Sequence, residues 1–428
     1  MNDTVESIVR WSNPKKVVFR FLFSYITLFV IFINNGAYPF WDKIMTFPTK
    51  WLQIFIPWVG KNILNLSYDI TVFTNGSGDT TYDYVIVLCV FISAFFGTII
   101  WSLLDRKRQN YKALYYWITT AVRFYIALML ISYGMVKVIQ LQFSSPGFYR
   151  LVQAYGDSSP MGLAWTFLGF SKGYNMFMGI AEVAAVLLLF RRTVTVGAII
   201  TLMTTANVMA VNYFYDIPVK IVSTHLVLLT LFLLSRDVKK LFKLFFKGEF
   251  VNLTKISRPN FKRVWVNKTL LVFKILILGY VVYGFLGLFD AQKKYGSKAL
   301  KPDLYGLYEV TRFTMNNDTI KATKGHGDRW EYIQIEREGI LQIKKMNKKG
   351  LYYKPEYDTI NKNIKLYAYR DSTKVFNMNY KKIDSTFFEF NTIIENDTIY
   401  CKAVRKTPKD FLLTNRGFHW ISEYPYNR

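Results

Sequence analysis

Seven stretches between residues 17 and 289 are apolar enough and long enough to cross a bilayer, and the rest of the chain holds no other. They run over 17–34, 83–104, 113–139, 173–190, 193–213, 219–235 and 269–289. A spanning helix needs roughly 20 apolar residues, because every backbone group must be satisfied inside the segment. The pattern predicts an α-helical polytopic membrane bundle of seven transmembrane helices over 1–290 and a separate domain over 291–428. The first stretch reads as a retained helix rather than a cleaved leader. Its C-terminal flank, Asn34-Asn35-Gly36-Ala37-Tyr38-Pro39, lacks a small-residue cleavage pattern.

Charge sets the expected topology. The formal net charge is +26. With the N-terminus inside, the clusters Arg106-Lys107-Arg108, Arg191-Arg192 and Arg236 to Lys268 all fall on the inner side, while the outer loops are near balance. That asymmetry is the positive-inside signature. Seven crossings then put the C-terminal domain outside the inner (cytoplasmic) membrane, in the periplasm or extracellular space. Much of the basic excess is thus orientation signal, which argues against a nucleic-acid partner. Two cysteines exclude a disulfide scaffold. Three histidines argue against a bis-histidine haem site, and neither a CxxC nor an HExxH motif is present, so no metal site is expected.

Two segments read as lying on the membrane. Residues 236–250, RDVKKLFKLFFKGEF, set Lys239, Lys240, Lys243 and Lys247 beside Leu241, Phe242, Leu244 and Phe245, the make-up of a basic amphipathic helix. Residues 40–64 hold Trp41, Trp51 and Trp58, and aromatic rings with a polar edge favour the headgroup level.

From Leu304 the period changes to two. Candidate strands run over 305–314, 330–336, 339–346, 350–355, 363–369, 374–380, 386–391 and 398–404. Turn signals such as Asn316-Asn317-Asp318 and Glu395-Asn396-Asp397 separate them. The expectation is a small antiparallel β-barrel or sandwich. The run Leu304 to Val310 resembles the opening strand of a lipocalin-like barrel.

Ionisable residues inside apolar stretches are the informative positions, since each is costly unless paired or wet. The third stretch holds Arg123 and Lys137, about 21 Å apart along a helix. The fourth holds Glu182, placed by its count from the inner end at the depth of Arg123, so Arg123 and Glu182 are expected to pair. Near the outer surface stand Lys137, Asp157, Asn212, Asp216, Lys220 and His225. If the helices bundle, these converge on an outward-facing polar cavity. The bland reading of each alone is a structural ion pair, an interfacial cap or a hydrogen-bonded histidine.

At these residues the chain resembles the DoxX-like family of four-helix membrane proteins. The likeness covers about 113–235. One helix carries Arg123, Gly134 and Lys137 as R…G..K, the next carries Gly179 and Glu182 as G..E, and Asn212, Asp216, Pro218 and Lys220 lie beyond them. The resemblance implies a cofactor-free subunit or accessory of a quinone-linked membrane redox complex, with quinone as the small molecule in play and a membrane or periplasmic protein as partner. Three further helices and a β-domain depart from the simple four-helix form. The layout is also similar to that of vitamin K-dependent carboxylase-like membrane proteins, as an architectural analogy only. Two other functions fit the same residues: a non-catalytic envelope scaffold or assembly factor, and a stand-alone membrane enzyme or carrier using the outer cavity.

Overall fold

The computed structural model describes residues 10–72, 78–253, 256, 264–323 and 326–427. Helices come first in the chain: α1 (Asn13–Phe32), α2 (Trp41–Ile44), α3 (Thr46–Asn62), α4 (Thr81–Leu104), α5 (Lys112–Val138), α6 (Phe148–Leu151), α7 (Pro160–Phe170), α8 (Lys172–Val183), α9 (Val194–Phe214), α10 (Lys220–Ser235), α11 (Val238–Lys247) and α12 (Val264–Tyr295). A 3₁₀ segment, Ala184–Leu189, continues α8. The β-strands all lie beyond residue 305, and a last short helix, α13 (Leu412–Asn415), comes after them.

Each of the seven apolar stretches is helical. Among the described residues, five helices are long and apolar enough to cross a membrane: α4, α5, α8 with its 3₁₀ extension, α9 and α12. α10 meets the same test only together with α11, from which it is bent by 81°. α1, at 20 residues, carries Lys15, Lys16 and Arg20 near its start.

Local chemistry explains several boundaries. Thr80 and Asp83 form a reciprocal capping box at the start of α4, with Thr80 N donating to Asp83 Oδ2 at 2.9 Å and Asp83 N to Thr80 Oγ1 at 3.3 Å. α11 ends at Gly248, whose φ of +64° is the left-handed stop that glycine adopts without strain. Residues 40–64, expected on the membrane surface, form α2 and α3, and Trp51 and Trp58 are exposed.

Contacts divide the chain into two compact units. One comprises Met1–Gln142 and Gly173–Phe289, the other Phe143–Lys172 and Asp290–Arg428. Residues 143–172, which lie inside the expected membrane domain of 1–290, therefore pack with the β-domain rather than with the helices that flank them in the chain.

In the helical unit α5 is the axis. Of its apolar window 61% is buried, against 6% for α12. Val122, Ile126 and Ala127 are fully enclosed. α1 packs along α4, α9 along α10, and α5 against the 3₁₀ segment. One end is tied by Arg20, which donates to Tyr111 Oη (2.8 Å), Ser102 Oγ (2.9 Å) and the Asp105 carbonyl (2.8 Å). A buried arginine with its guanidinium so occupied is held in place rather than costly.

The second unit is a closed antiparallel barrel. Its strands are β1 (Gly306–Met315), β2 (Asp318–Thr319), β3 (Trp330–Arg337), β4 (Ile340–Lys345), β5 (Gly350–Asp358), β6 (Asn363–Ala368), β7 (Asp371–Lys382), β8 (Phe387–Ile394) and β9 (Asp397–Lys406). Neighbours in sequence pair except β2 and β3: the two-residue β2 pairs with β1, β1 also pairs with β3, and β9 returns to β1 to close eight strands. Asn316 and Asn317, both with positive φ, make the tight turn between β1 and β2. Alternate residues point inward: Ile333 and Ile335, Leu341 and Ile343, Ile364 and Leu366, Phe388 and Phe390. With Trp330, Phe313 and Tyr308 they form one buried cluster. Eight strands give an interior just wide enough for such side chains to fill. The lipocalin likeness therefore holds for the strand layout, while the interior is a packed core.

The 143–172 segment seats on this barrel through Phe148, which is buried and lies 5.3 Å from the Tyr305 ring and 6.5 Å from that of Phe411. Gly147 sits against the Glu336 carboxylate, which would have to shift to admit a Cβ there.

Candidate functional site

The site is built on a helix crossing that only glycine permits. Where α5 meets α8, a Cβ added at Gly134 would lie 2.6 Å from the Gly179 carbonyl oxygen, and one added at Gly179 would lie 2.6 Å from that of Gly134. Small residues let helix backbones approach this closely, the packing mode favoured inside membranes. One turn further along each helix stand Lys137 and Glu182. The crossing aims them at each other, and Lys137 Nζ donates to Glu182 Oε1 at 2.9 Å and to Oε2 at 2.8 Å. Both side chains are buried, at 8% and 3% exposure, so solvent screens this pair very little. The Lys137 ammonium also lies 5.7 Å from the centre of the Tyr133 ring.

This corrects the expected Arg123–Glu182 pair. The 3₁₀ stretch Ala184–Leu189 rises about 2.0 Å per residue instead of 1.5 Å, which moves Glu182 by only about 3 Å and does not account for the change of partner. The register is set by the Gly134–Gly179 crossing, which gives Glu182 to Lys137. Arg123 instead donates from Nε to the Leu188 carbonyl at 2.7 Å.

Asn212, Asp216 and Lys220 gather at the turn between α9 and α10. Lys220 Nζ donates to Asp216 Oδ1 at 2.9 Å, and Asn212 Nδ2 to the Val219 carbonyl at 3.4 Å. Asp216 adopts φ of +50° there, a conformation aspartate tolerates better than most residues. His225 lies one turn further. Its Nδ1 is 2.7 Å from the Ile221 carbonyl and its Nε2 is 2.7 Å from Tyr25 Oη, while the Phe29 ring stacks on it at 3.8 Å. Nδ1–H therefore faces a carbonyl, which leaves Nε2 to accept from the tyrosine. Asp157 belongs to the other unit, where it pairs with Lys348 at 2.6 Å in the β4–β5 turn. That carboxyl is held below the usual carboxylate range by its hydrogen bond from Lys348.

Sequence reasoning missed Asp79 and Lys274. Asp79 accepts from two consecutive backbone amides at the start of α10, Lys220 N (2.5 Å) and Ile221 N (2.8 Å). Nothing near Asp79 in sequence announces a partner about 140 residues away. Lys274 was findable, because it is a cation inside the stretch 269–289. It donates to the Leu189 carbonyl at 3.1 Å and lies 4.7 Å from the centre of the Phe190 ring. Among the described residues no group of three or more His, Cys, Asp or Glu is placed to hold a metal ion.

Comparison with known proteins adds one relative. No family model matches the chain, and no solved structure matches it. Over 131 residues it is 37% identical to an uncharacterized protein of Bacillus subtilis (strain 168), YwoB, an alignment that takes in 30% of this chain and 82% of that protein. At that identity and coverage of the shorter protein, the chain belongs to the YwoB family.

Proposed function

We propose that the protein is a DoxX-like component of a quinone-linked membrane redox complex, inserted through seven helices with its N-terminus inside and its barrel outside. In this reading the chain binds no redox cofactor of its own and positions a partner that does. The observation that carries it is the glycine-crossed Lys137–Glu182 pair, because Gly134, Lys137, Gly179 and Glu182 are the residues on which the DoxX likeness rests. The redox assignment comes from that likeness alone. A buried ion pair by itself fixes helix register as readily as it serves chemistry.

A second reading, a non-catalytic envelope scaffold, is favoured by the barrel. Its interior is occupied by its own side chains, which leaves its outer surface for recognition.

Affinity purification from native membranes in mild detergent, with mass spectrometry and an absorbance spectrum, separates the two. A stoichiometric partner bearing flavin, haem or metal is the expected result. A colourless chain with envelope-assembly partners overturns the redox reading and favours the scaffold. Accessibility of single cysteines to a membrane-impermeant reagent tests the topology, with labelling of the barrel and protection of the 236–250 segment expected in intact cells.

A further inference from the structure

A cavity of about 410 Å³ opens in the helical unit between α5, the turn after Leu189 and α12. It is distinct from the Lys137–Glu182 crossing. Arg123, Arg191 and Lys274 line it, and no carboxylate does. These cations act on one another: Arg191 on both Arg123 and Lys274, and Arg123 on Lys274. Like charges gathered in a weakly polar setting are unfavourable unless an anion answers them.

The protein supplies part of the answer. Arg123 Nε and Lys274 Nζ donate to the carbonyls of Leu188 and Leu189, which end a helical run where partial negative charge collects. That end is equivalent to roughly half a negative charge, against three cations. Each cation still has donors to spare, since a guanidinium has five N–H groups and an ammonium three. The remaining walls are mostly apolar and aromatic, Trp117, Phe124 and Leu271 among them, with Thr120, Tyr38 and Tyr116 as the hydroxyl-bearing members. The volume falls in the range of sites for organic ligands, not of a bare anion.

We propose that this cavity binds a phosphate-bearing anionic amphiphile, with the phosphate on Arg123, Arg191 and Lys274 and the hydrocarbon along Phe124 and Leu271. Two arginines and a lysine match phosphate oxygens by forked and point-charge donation. The same cations suit a free phosphate, so the test separates the two sources.

The full-length protein is purified in mild detergent and followed by native mass spectrometry and thermal unfolding. The probes are phosphatidylglycerol, phosphatidylcholine and inorganic phosphate. Retention of phosphatidylglycerol over phosphatidylcholine, with a raised melting temperature, is expected. Arg191→Gln and Lys274→Gln are each expected to weaken that retention about tenfold, the worth of one charge-assisted bond. Arg191 is exposed, so its variant tests the idea even if Lys274→Gln misfolds. Stabilisation by inorganic phosphate equal to that by the lipid supports the cation site but overturns the amphiphile. Equal retention of both lipids overturns the proposal, and so does an equal loss on replacing Lys43, an exposed lysine outside the cavity.

Discussion

Lys137 and Glu182 are brought together by glycines that neither of them touches in sequence. The α5–α8 crossing at Gly134 and Gly179 sets the register, and the ion pair at 2.8 Å forms one turn later. Removing one partner leaves a buried charge. Lys137→Met is expected to destabilise the protein by about 3–5 kcal/mol, and the double variant Lys137→Met, Glu182→Leu to recover most of that loss. Unfolding of both variants in the same detergent measures it. A double variant no better than the single would show that the pair itself, and not relief of an unpaired charge, carries the stability.

The crossing itself gives a contrast between glycines. Gly134→Ala or Gly179→Ala drives a Cβ into the facing carbonyl and is expected to cost about 1–3 kcal/mol or more. Gly97 in α4 has open space around it, so Gly97→Ala is expected to be neutral or to stabilise by up to about 1 kcal/mol through helix propensity. Melting temperatures of the three variants decide the matter.

Asp79 caps α10 across a long sequence separation. Asp79→Ala strips the acceptor from Lys220 N and Ile221 N and is expected to cost about 1–2 kcal/mol, with Asp79→Asn losing less. Limited proteolysis near residue 220 reports the loosened turn.

How far this could be read in the sequence varies with range. Every stretch given as a membrane segment is helical, and every predicted strand has an observed counterpart, because periods of 3.6 and 2 are local signals. Closure of the barrel is not local: Phe313 meets Cys401 across the whole domain. The partner of Glu182 escapes the sequence for a related reason, since the register of α8 on α5 is set where Gly134 meets Gly179, a contact between residues far apart in the chain. That Phe148 belongs with Tyr305 rather than with its flanking helices has no signature in the residues around it.

In the barrel unit Glu336 contributes a pH dependence opposite in sign to that of carboxyls held low by hydrogen bonds, such as Asp157 and Asp410. Burial raises the Glu336 carboxyl above the usual range, opposed in part by neighbouring Arg337 and by the Phe148 backbone amide. A native carboxyl that holds its proton to higher pH than the unfolded one makes stability fall as pH rises from the ordinary carboxyl pKa through the raised one. Glu336→Gln is expected to flatten that slope. Melting temperature against pH, wild type beside variant, is the measurement.

Cys401 is fully buried in β9, and burial pushes its thiol up to about 12. It is expected to resist maleimide in the native state and to react on unfolding, because the thiolate is the nucleophile. Cysteine labelling with and without denaturant tests this.

Closure of the ladder by β1 and β9 also removes the margin at which another chain could add a strand. A sheet with a free margin can take up an extended peptide as an additional strand. Here, among the described residues, only the two-residue β2 stands at the end of the sheet, too short to template such pairing. What the barrel offers outward is therefore side chains such as the exposed Tyr352 and Tyr369, not unpaired backbone, and these can be substituted without disturbing the fold.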